Sequence, residues 1–143
     1  MEIKNLYAES EKQLKRDEDV KLTIYYDTLN IPTIGIGFNL KEGFSLEEIE
    51  LIFNLRWNNY LKELLQRCPW ASRLDEARLG ALMNMAYNMG VPRLLIKNPK
   101  TLALMAEGKF VEASQEVLIG LWHSQVGARA RRISKQIETG EWQ

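Results

Sequence analysis

The sequence predicts an α+β fold that is mostly α: a small N-terminal lobe holding a short β-hairpin, a long connector helix, and a helical C-terminal lobe. Three observations predict it. Residues 3 to 17 carry apolar groups at helical spacing, the pattern switches to β-type residues between Leu22 and Gly37, and from Ser45 a capped, largely apolar run leads into further helical segments. At 143 residues the chain has the size of one ordinary domain. Such a domain buries about two-thirds of its unfolded surface and folds without staples.

The first helix places Ile3, Leu6, Tyr7 and Leu14 on one stripe, with Ser10 between them and charged residues elsewhere. Glu18 falls where it should end. Leu22-Thr23-Ile24-Tyr25-Tyr26, the turn-like Asp27-Thr28-Leu29-Asn30 and the run Thr33-Ile34-Gly35-Ile36-Gly37 then read as a small antiparallel hairpin. Pro32 belongs at a strand start or edge, and the glycines at 35 and 37 permit close approach of a backbone or a ligand. A hairpin this short is not stable alone and must pack on helices.

Ser45-Leu46-Glu47-Glu48 has the form of a capping box. The helix it opens is apolar on most sides as far as Pro69, which predicts cover from more than one direction and suits a connector shared by two lobes. Asp75 is a candidate N-cap for a helix through Leu79, Leu82, Met83, Ala86 and Met89, stopped by Gly90 and Pro92. Further helices start near Pro99, Phe110 and Gly127, with Gly108 and Gly140 as C-terminal stops.

Net charge is zero, but residues 1 to 60 are acidic and residues 61 to 143 basic. Two lobes whose fields meet at a cleft would give this asymmetry, and so would ordinary surface drift. The single cysteine, Cys68, excludes an intramolecular disulfide framework, fits a reducing cytosol, and reads as a small buried hydrophobe. The N-terminus lacks the apolar core of a signal peptide, and no stretch approaches the roughly 20 apolar residues of a membrane span. No Cys/His/Asp spacing suggests a metal, and Gly35-Ile36-Gly37 lacks the rest of a phosphate-binding fingerprint. His123, the only histidine, reads as an ordinary surface or packing residue.

Hydrolysis of a glycosidic bond needs a protonated acid for the leaving oxygen and a second group that activates water on the other face of the sugar. Glu18 ends an apolar-faced helix, where partial desolvation would favour the neutral acid. Asp27 lies at the far end of the first strand, nearer water, and Thr33 begins the second. On spacing alone Asp17, Glu18 and Asp19 are equally readable as solvated charges.

The longer strings change that. Leu14-Lys15-Arg16-Asp17-Glu18-Asp19-Val20-Lys21-Leu22-Thr23-Ile24-Tyr25-Tyr26-Asp27-Thr28, followed by Pro32-Thr33-Ile34-Gly35-Ile36-Gly37, resembles the active-site region of the phage-type lysozymes, the endolysin muramidases that include those of T-even phages. Their mark is Glu, eight residues, Asp, five residues, Thr, and both intervals match. Leu82-Met83-Asn84-Met85-Ala86-Tyr87-Asn88-Met89-Gly90 resembles the central helix of the family's C-terminal lobe. Trp122-His123-Ser124-Gln125 and Arg129-Ala130-Arg131-Arg132 resemble its Trp-x-x-Gln and Arg-Ala-x-Arg elements.

The resemblance implies one lysozyme-like domain over residues 1–143 with a cleft between its lobes. The small lobe would span about 14–44, the connector helix about 45–66, and the C-terminal lobe about 67–143, packed with helix 3–17. It implies an inverting muramidase that needs no cofactor, with Glu18 as general acid, Asp27 positioning or activating the attacking water and Thr33 hydrogen-bonding it; Thr28 is not the family threonine. Inversion requires carboxyl groups roughly 6.5 to 9.5 Å apart.

By the same likeness Arg129 approaches the catalytic glutamate, where it orients the acid or stabilises the state after proton transfer, and Arg132 is structural. Tyr25, Gly37, Tyr87, Asn88 and Gln125 line the saccharide groove and Trp122 supports it from behind. Plain core packing would equally explain Tyr25, Tyr87 and Trp122. The partner implied is bacterial peptidoglycan, not nucleic acid and not an inserted membrane. The protein would be a monomer, held in the host cytoplasm until a holin releases it to the periplasm.

Two departures stand out. Phe38 replaces the histidine that follows the Gly-Ile-Gly string in many relatives. Only seven residues separate Gly37 from Ser45, a much shorter interval than in the T-even enzymes, which predicts loss of a third strand and a short helix. Two other readings stay open: a wall- or membrane-binding module using Arg129, Arg131, Arg132 and Lys135, and a lytic transglycosylase, against which Asp27 and Thr33 count.

Overall fold

The computed structural model describes residues 3–120 and 127–143, with side chains from Asn5 onward. It divides into two units, Met1–Leu51 and Ile52–Gln143.

In the first unit, helix α1 (Ile3–Glu18) stops because Asp19 takes a left-handed backbone, φ 64°. A short polar side chain tolerates that conformation and a helix interior does not. The α1 stripe, Leu6, Tyr7 and Leu14, is exposed. Strands β1 (Lys21–Tyr26), β2 (Pro32–Gly35) and β3 (Phe38–Asn39) form an antiparallel sheet in the order β1-β2-β3. Tyr25 pairs with Thr33 and Tyr26 with Pro32, while Lys21 pairs with Gly35, so a bulge lies between.

The third strand corrects the sequence expectation. Gly35 and Gly37 both adopt positive φ, 70° and 67°, and turn the chain back within three residues. Phe38 then pairs with Ile34 and Asn39 with Thr33, and the Leu40 amide donates to the Pro32 carbonyl at 2.9 Å. The second predicted strand therefore ends at Gly35, and closing a short sheet needs no long insertion.

Helix α2 (Leu46–Arg67) is capped as predicted. The Ser45 amide donates to Glu48 Oε2 at 2.6 Å, and the Glu48 amide donates to Ser45 Oγ at 3.2 Å. Cover from several directions is not found: Leu46, Ile49, Leu51 and Leu55 are exposed, and Leu64 alone is fully buried on this helix. At 1.5 Å per residue the helix is about 33 Å long, longer than one small core is deep. Only its last turns, with Tyr60, Leu61 and Leu65, enter the core.

The second unit builds that core from α3 (Glu76–Met89), α4 (Val91–Lys97), α5 (Pro99–Ala106), α6 (Phe110–Val117) and α7 (Ala128–Thr139), after a 3-10 turn at Pro69–Arg73. Asp75 Oδ1 accepts the Arg78 amide at 3.0 Å, which starts α3. Gly108, at φ 75°, closes α5: the Lys109 amide donates to the Leu104 carbonyl at 2.8 Å and the Gly108 amide to the Met105 carbonyl at 3.1 Å. Leu64, Leu82, Met85, Val91, Leu94, Met105, Val117 and Ile137 are fully buried at the centre. Cys68 is buried with them, and burial pushes its thiol up against the opposing pull of Arg67, as expected of a packing residue.

Helix α7 is tied down by polar bonds as well as packing. Ser134 Oγ donates to the Ser114 carbonyl at 2.8 Å, and Gln136 Nε2 to the Ala77 carbonyl at 2.6 Å. Arg78 is the principal fastening. Its Nε and one terminal nitrogen donate to the Ile137 and Glu138 carbonyls at 2.7 and 2.8 Å, the other reaches Asp75 Oδ2 at 3.0 Å, and the guanidinium lies 3.7 Å from the Phe110 ring centre. Gly140 makes room, since a Cβ there would come within 2.8 Å of the guanidinium. Arg132, for which the resemblance implies a structural role, is exposed and makes no ion pair within 4.0 Å among the described residues.

Candidate active-site residues

In the first unit the three successive carboxylates Asp17, Glu18 and Asp19 separate by partner. Asp17 accepts from Arg16 Nε at 2.9 Å, and Asp19 pairs with Lys21 Nζ at 3.0 Å. The Lys21 ammonium, helped by the Val20 amide, holds the Asp19 carboxyl below its ordinary range. Glu18 has no such cation among the described residues. Its carboxylate instead lies over Gly37, where an added Cβ would meet Oε2 at 2.6 Å. The close approach that Gly37 permits is thus that of the glutamate, and the close approach at Gly35 is that of the Phe38 ring, also 2.6 Å from a hypothetical Cβ. Glu18 is exposed.

Asp27 and Thr33 are held by one residue between them. Asp27 Oδ1 accepts the amides of Leu29 and Ile31, both at 2.9 Å, while Thr33 Oγ1 donates to the Ile31 carbonyl at 2.9 Å. The Asp27 amide in turn donates to the Ile31 carbonyl at 3.0 Å, and Asn30 turns the loop at φ 59°. Both side chains therefore grip the peptide groups of Ile31. This leaves Asp27 Oδ2 and the lone pairs of Thr33 Oγ1 available to accept hydrogen bonds. Thr33 is 4% exposed and Asp27 half-buried. Tyr25, half-buried, stands opposite Thr33 in the sheet register.

In the second unit Tyr87 is partly exposed and makes contacts on two sides. Its ring packs against Phe53 and Tyr60, centroids 5.6 and 5.4 Å apart, and it also lines a cavity of about 470 Å³ with Trp57, Met83, Asn84, Arg129 and Trp142. Trp142 lies so close to Gly80 that a Cβ there would meet the indole at 2.2 Å. Asn88 is exposed. Arg129 is anchored to α3: its Nε donates to Asn84 Oδ1 at 2.7 Å, and a terminal nitrogen reaches the Asn84 carbonyl at 3.3 Å. Trp122, Gln125 and His123 lie outside the described residues.

Sequence reasoning missed Ile31 and Asn84. Ile31 acts through its peptide groups, which carry no side-chain signal. Asn84 stands three residues before Tyr87, on the same helix face, and that spacing was the available clue.

A family model described as phage lysozyme matches residues 15–136. The chain is 31% identical over 157 residues to "Probable T4-type lysozyme 1" of Dictyostelium discoideum, a match that covers 89% of this chain and 92% of that protein. "Probable T4-type lysozyme 2" of the same organism is 28% identical over 157 residues, with the same coverage. The "Pre-baseplate central spike protein Gp5" of Enterobacteria phage T4 is 26% identical over 158 residues, which span 90% of this chain but 27% of that protein.

Proposed function

The chain belongs to the phage lysozyme family of glycoside hydrolases, and from that premise we propose that it is a muramidase hydrolysing the β-1,4 bond between N-acetylmuramic acid and N-acetylglucosamine in peptidoglycan. In this reading Glu18 is the general acid. Asp27 and Thr33 hold the attacking water, and Tyr25, Gly37, Tyr87, Asn88 and Gln125 contact the glycan. The protein works as a monomeric endolysin released by a holin.

The observation that supports it best is the shared grip on Ile31. Because Thr33 Oγ1 gives its proton to the Ile31 carbonyl, toward water it acts only as an acceptor. Asp27 Oδ1 is occupied by two amides, so Oδ2 is the oxygen left to take a proton. A water giving one hydrogen to each group presents its lone pair to the anomeric carbon. As Glu18 protonates the leaving oxygen, Asp27 takes the proton of the attacking water and the sugar C–O bond is exchanged for one of opposite configuration.

Clearing of purified peptidoglycan by wild type and Glu18→Gln, with mass analysis of the fragments, tests this. Reducing muramic-acid ends from wild type alone are expected. Fragments lighter by one water indicate a lytic transglycosylase instead. Equal clearing by both proteins indicates action through binding, for which Arg131, Arg132 and Lys135, all exposed on α7, are the candidate groups.

A further inference from the structure

Two glycines at the reversal between β2 and β3 share a left-handed backbone but not a neighbour. The space left bare at Gly35 is filled by the Phe38 ring. That at Gly37 is filled by Glu18, whose Oε2, Cδ and Cγ would lie 2.6, 2.8 and 3.1 Å from an added Cβ. Backbone conformation alone does not demand glycine at such a position. Within the same unit Asp19 and Asn30 adopt φ of 64° and 59°, close to the 67° of Gly37, because a short polar side chain tolerates the left-handed region. Gly43, at φ 72°, has no atom beyond its chain neighbours within 4 Å of where its Cβ would stand.

What opposes a side chain at Gly37 is therefore the carboxylate of Glu18. That group is exposed and, unlike Asp17 and Asp19 on either side, takes part in no ion pair among the described residues. As the far end of a flexible side chain it would yield to a Cβ by changing rotamer, at little expense in stability. The turn tolerates a side chain at this position, but the carboxylate cannot then keep its place. We propose that Gly37 is a positioning residue for the hydrolytic reaction: its missing side chain is the seat on which the carboxylate of the general acid Glu18 rests. The inference stands on the muramidase reading and gives Gly37 a part in it besides contact with the glycan. An added Cβ would drive Oε2 from 2.6 Å to the 3.4 Å at which ordinary contact begins. Misplacing a reacting group by about 1 Å can cost about a hundredfold in rate.

The test compares Gly37→Asn and Gly37→Ala with Gly43→Asn and Gly43→Ala in release of reducing ends from solubilised peptidoglycan at one fixed pH, with melting temperatures in parallel. Asparagine keeps the left-handed turn and alanine strains it, so the Gly43 pair measures what the backbone alone contributes. Both Gly37 variants should lose about tenfold to a hundredfold in kcat with little change in KM, the pattern of an interaction made in the transition state. The Gly43 variants should keep the wild-type kcat. Melting temperatures should fall no further at position 37 than at position 43. In a Glu18→Gln background Gly37→Asn should cost nothing more, because the group it displaces no longer donates a proton.

A rise in KM with kcat kept would reduce Gly37 to a glycan contact and overturn the inference. So would an unchanged kcat, an equal loss in the Gly43 variants, a much larger fall in melting temperature at position 37, or full additivity with Glu18→Gln. Each of these leaves the muramidase reading standing as long as wild type releases reducing ends. Absence of reducing ends from wild type overturns the muramidase reading itself.

Discussion

The two units differ in what they bury. In the second, apolar side chains from Leu64 to Ile137 form a continuous core. In the first, Thr33 is the sole buried side chain among the described residues up to Leu51, and it is polar. Leu22, Ile24, Tyr26 and Leu29 remain exposed there. A region organised for stability would place its leucines and isoleucines inside. The N-terminal unit instead uses its most protected position for a hydroxyl that fixes a loop carrying a carboxylate. The apolar core and the three residues proposed to carry the bond-breaking step, Glu18, Asp27 and Thr33, are thus separated along the chain, and substitutions should separate them too.

The largest effect expected is on rate. Glu18→Gln removes the proton donor with its shape kept, and should lower kcat by about a thousandfold with an unchanged melting temperature, since general acid catalysis contributes about 10²–10⁴-fold. Asp27→Asn, whose amide oxygen still accepts the Leu29 and Ile31 amides, should lower kcat by about a hundredfold and leave the hairpin folded. A fall in melting temperature larger than the fall in activity for either variant would break the comparison.

In the second unit the signs reverse. Leu82→Ala empties a site that is fully buried and should cost about 2–5 kcal/mol in chemical denaturation. Arg78→Ala leaves the Ile137 and Glu138 carbonyls without their donor and should cost about 3 kcal/mol. In both cases kcat of the remaining folded protein should stay near wild type.

The smallest effect depends on pH. Burial pushes the Asp75 carboxyl up, but the amide and guanidinium of Arg78 outweigh it and hold the group below its ordinary value. A carboxyl depressed on folding contributes stability above its unfolded pKa, about 4, and that stability is lost as pH falls through the lower folded value. Asp75→Ala should therefore cost about 1 kcal/mol at neutral pH and nothing in strong acid. Denaturation of both proteins across that range sharpens the contrast between structural and catalytic carboxylates.

What was legible in the sequence is what local chemistry decides. Ser45 with Glu48, Asp75 before its helix, and Gly90, Gly108 and Gly140 after theirs all work through bonds within a few residues, and the string positions alone revealed them. The third strand was missed because the turn at Gly35 and Gly37 was read as the end of a strand rather than as its reversal. The exposure of α2 was missed because an apolar helix surface shows what is available for burial, not what covers it. Arg78 and Asn84 act across 45 to 60 residues of chain, a separation that periodicity does not report. Glu18, Asp27 and Thr33 were proposed from their spacing to a known pattern; which of the neighbouring acids has no cation partner among the described residues was visible only in three dimensions.

The most direct measurement is the configuration of the newly formed reducing end, read by NMR in the first moments of hydrolysis before mutarotation. A water held by Asp27 and Thr33 opposite the leaving oxygen inverts the β-linkage, so the muramic-acid end should appear first as the α-anomer. First appearance of the β-anomer, or of an anhydro end, would contradict the account.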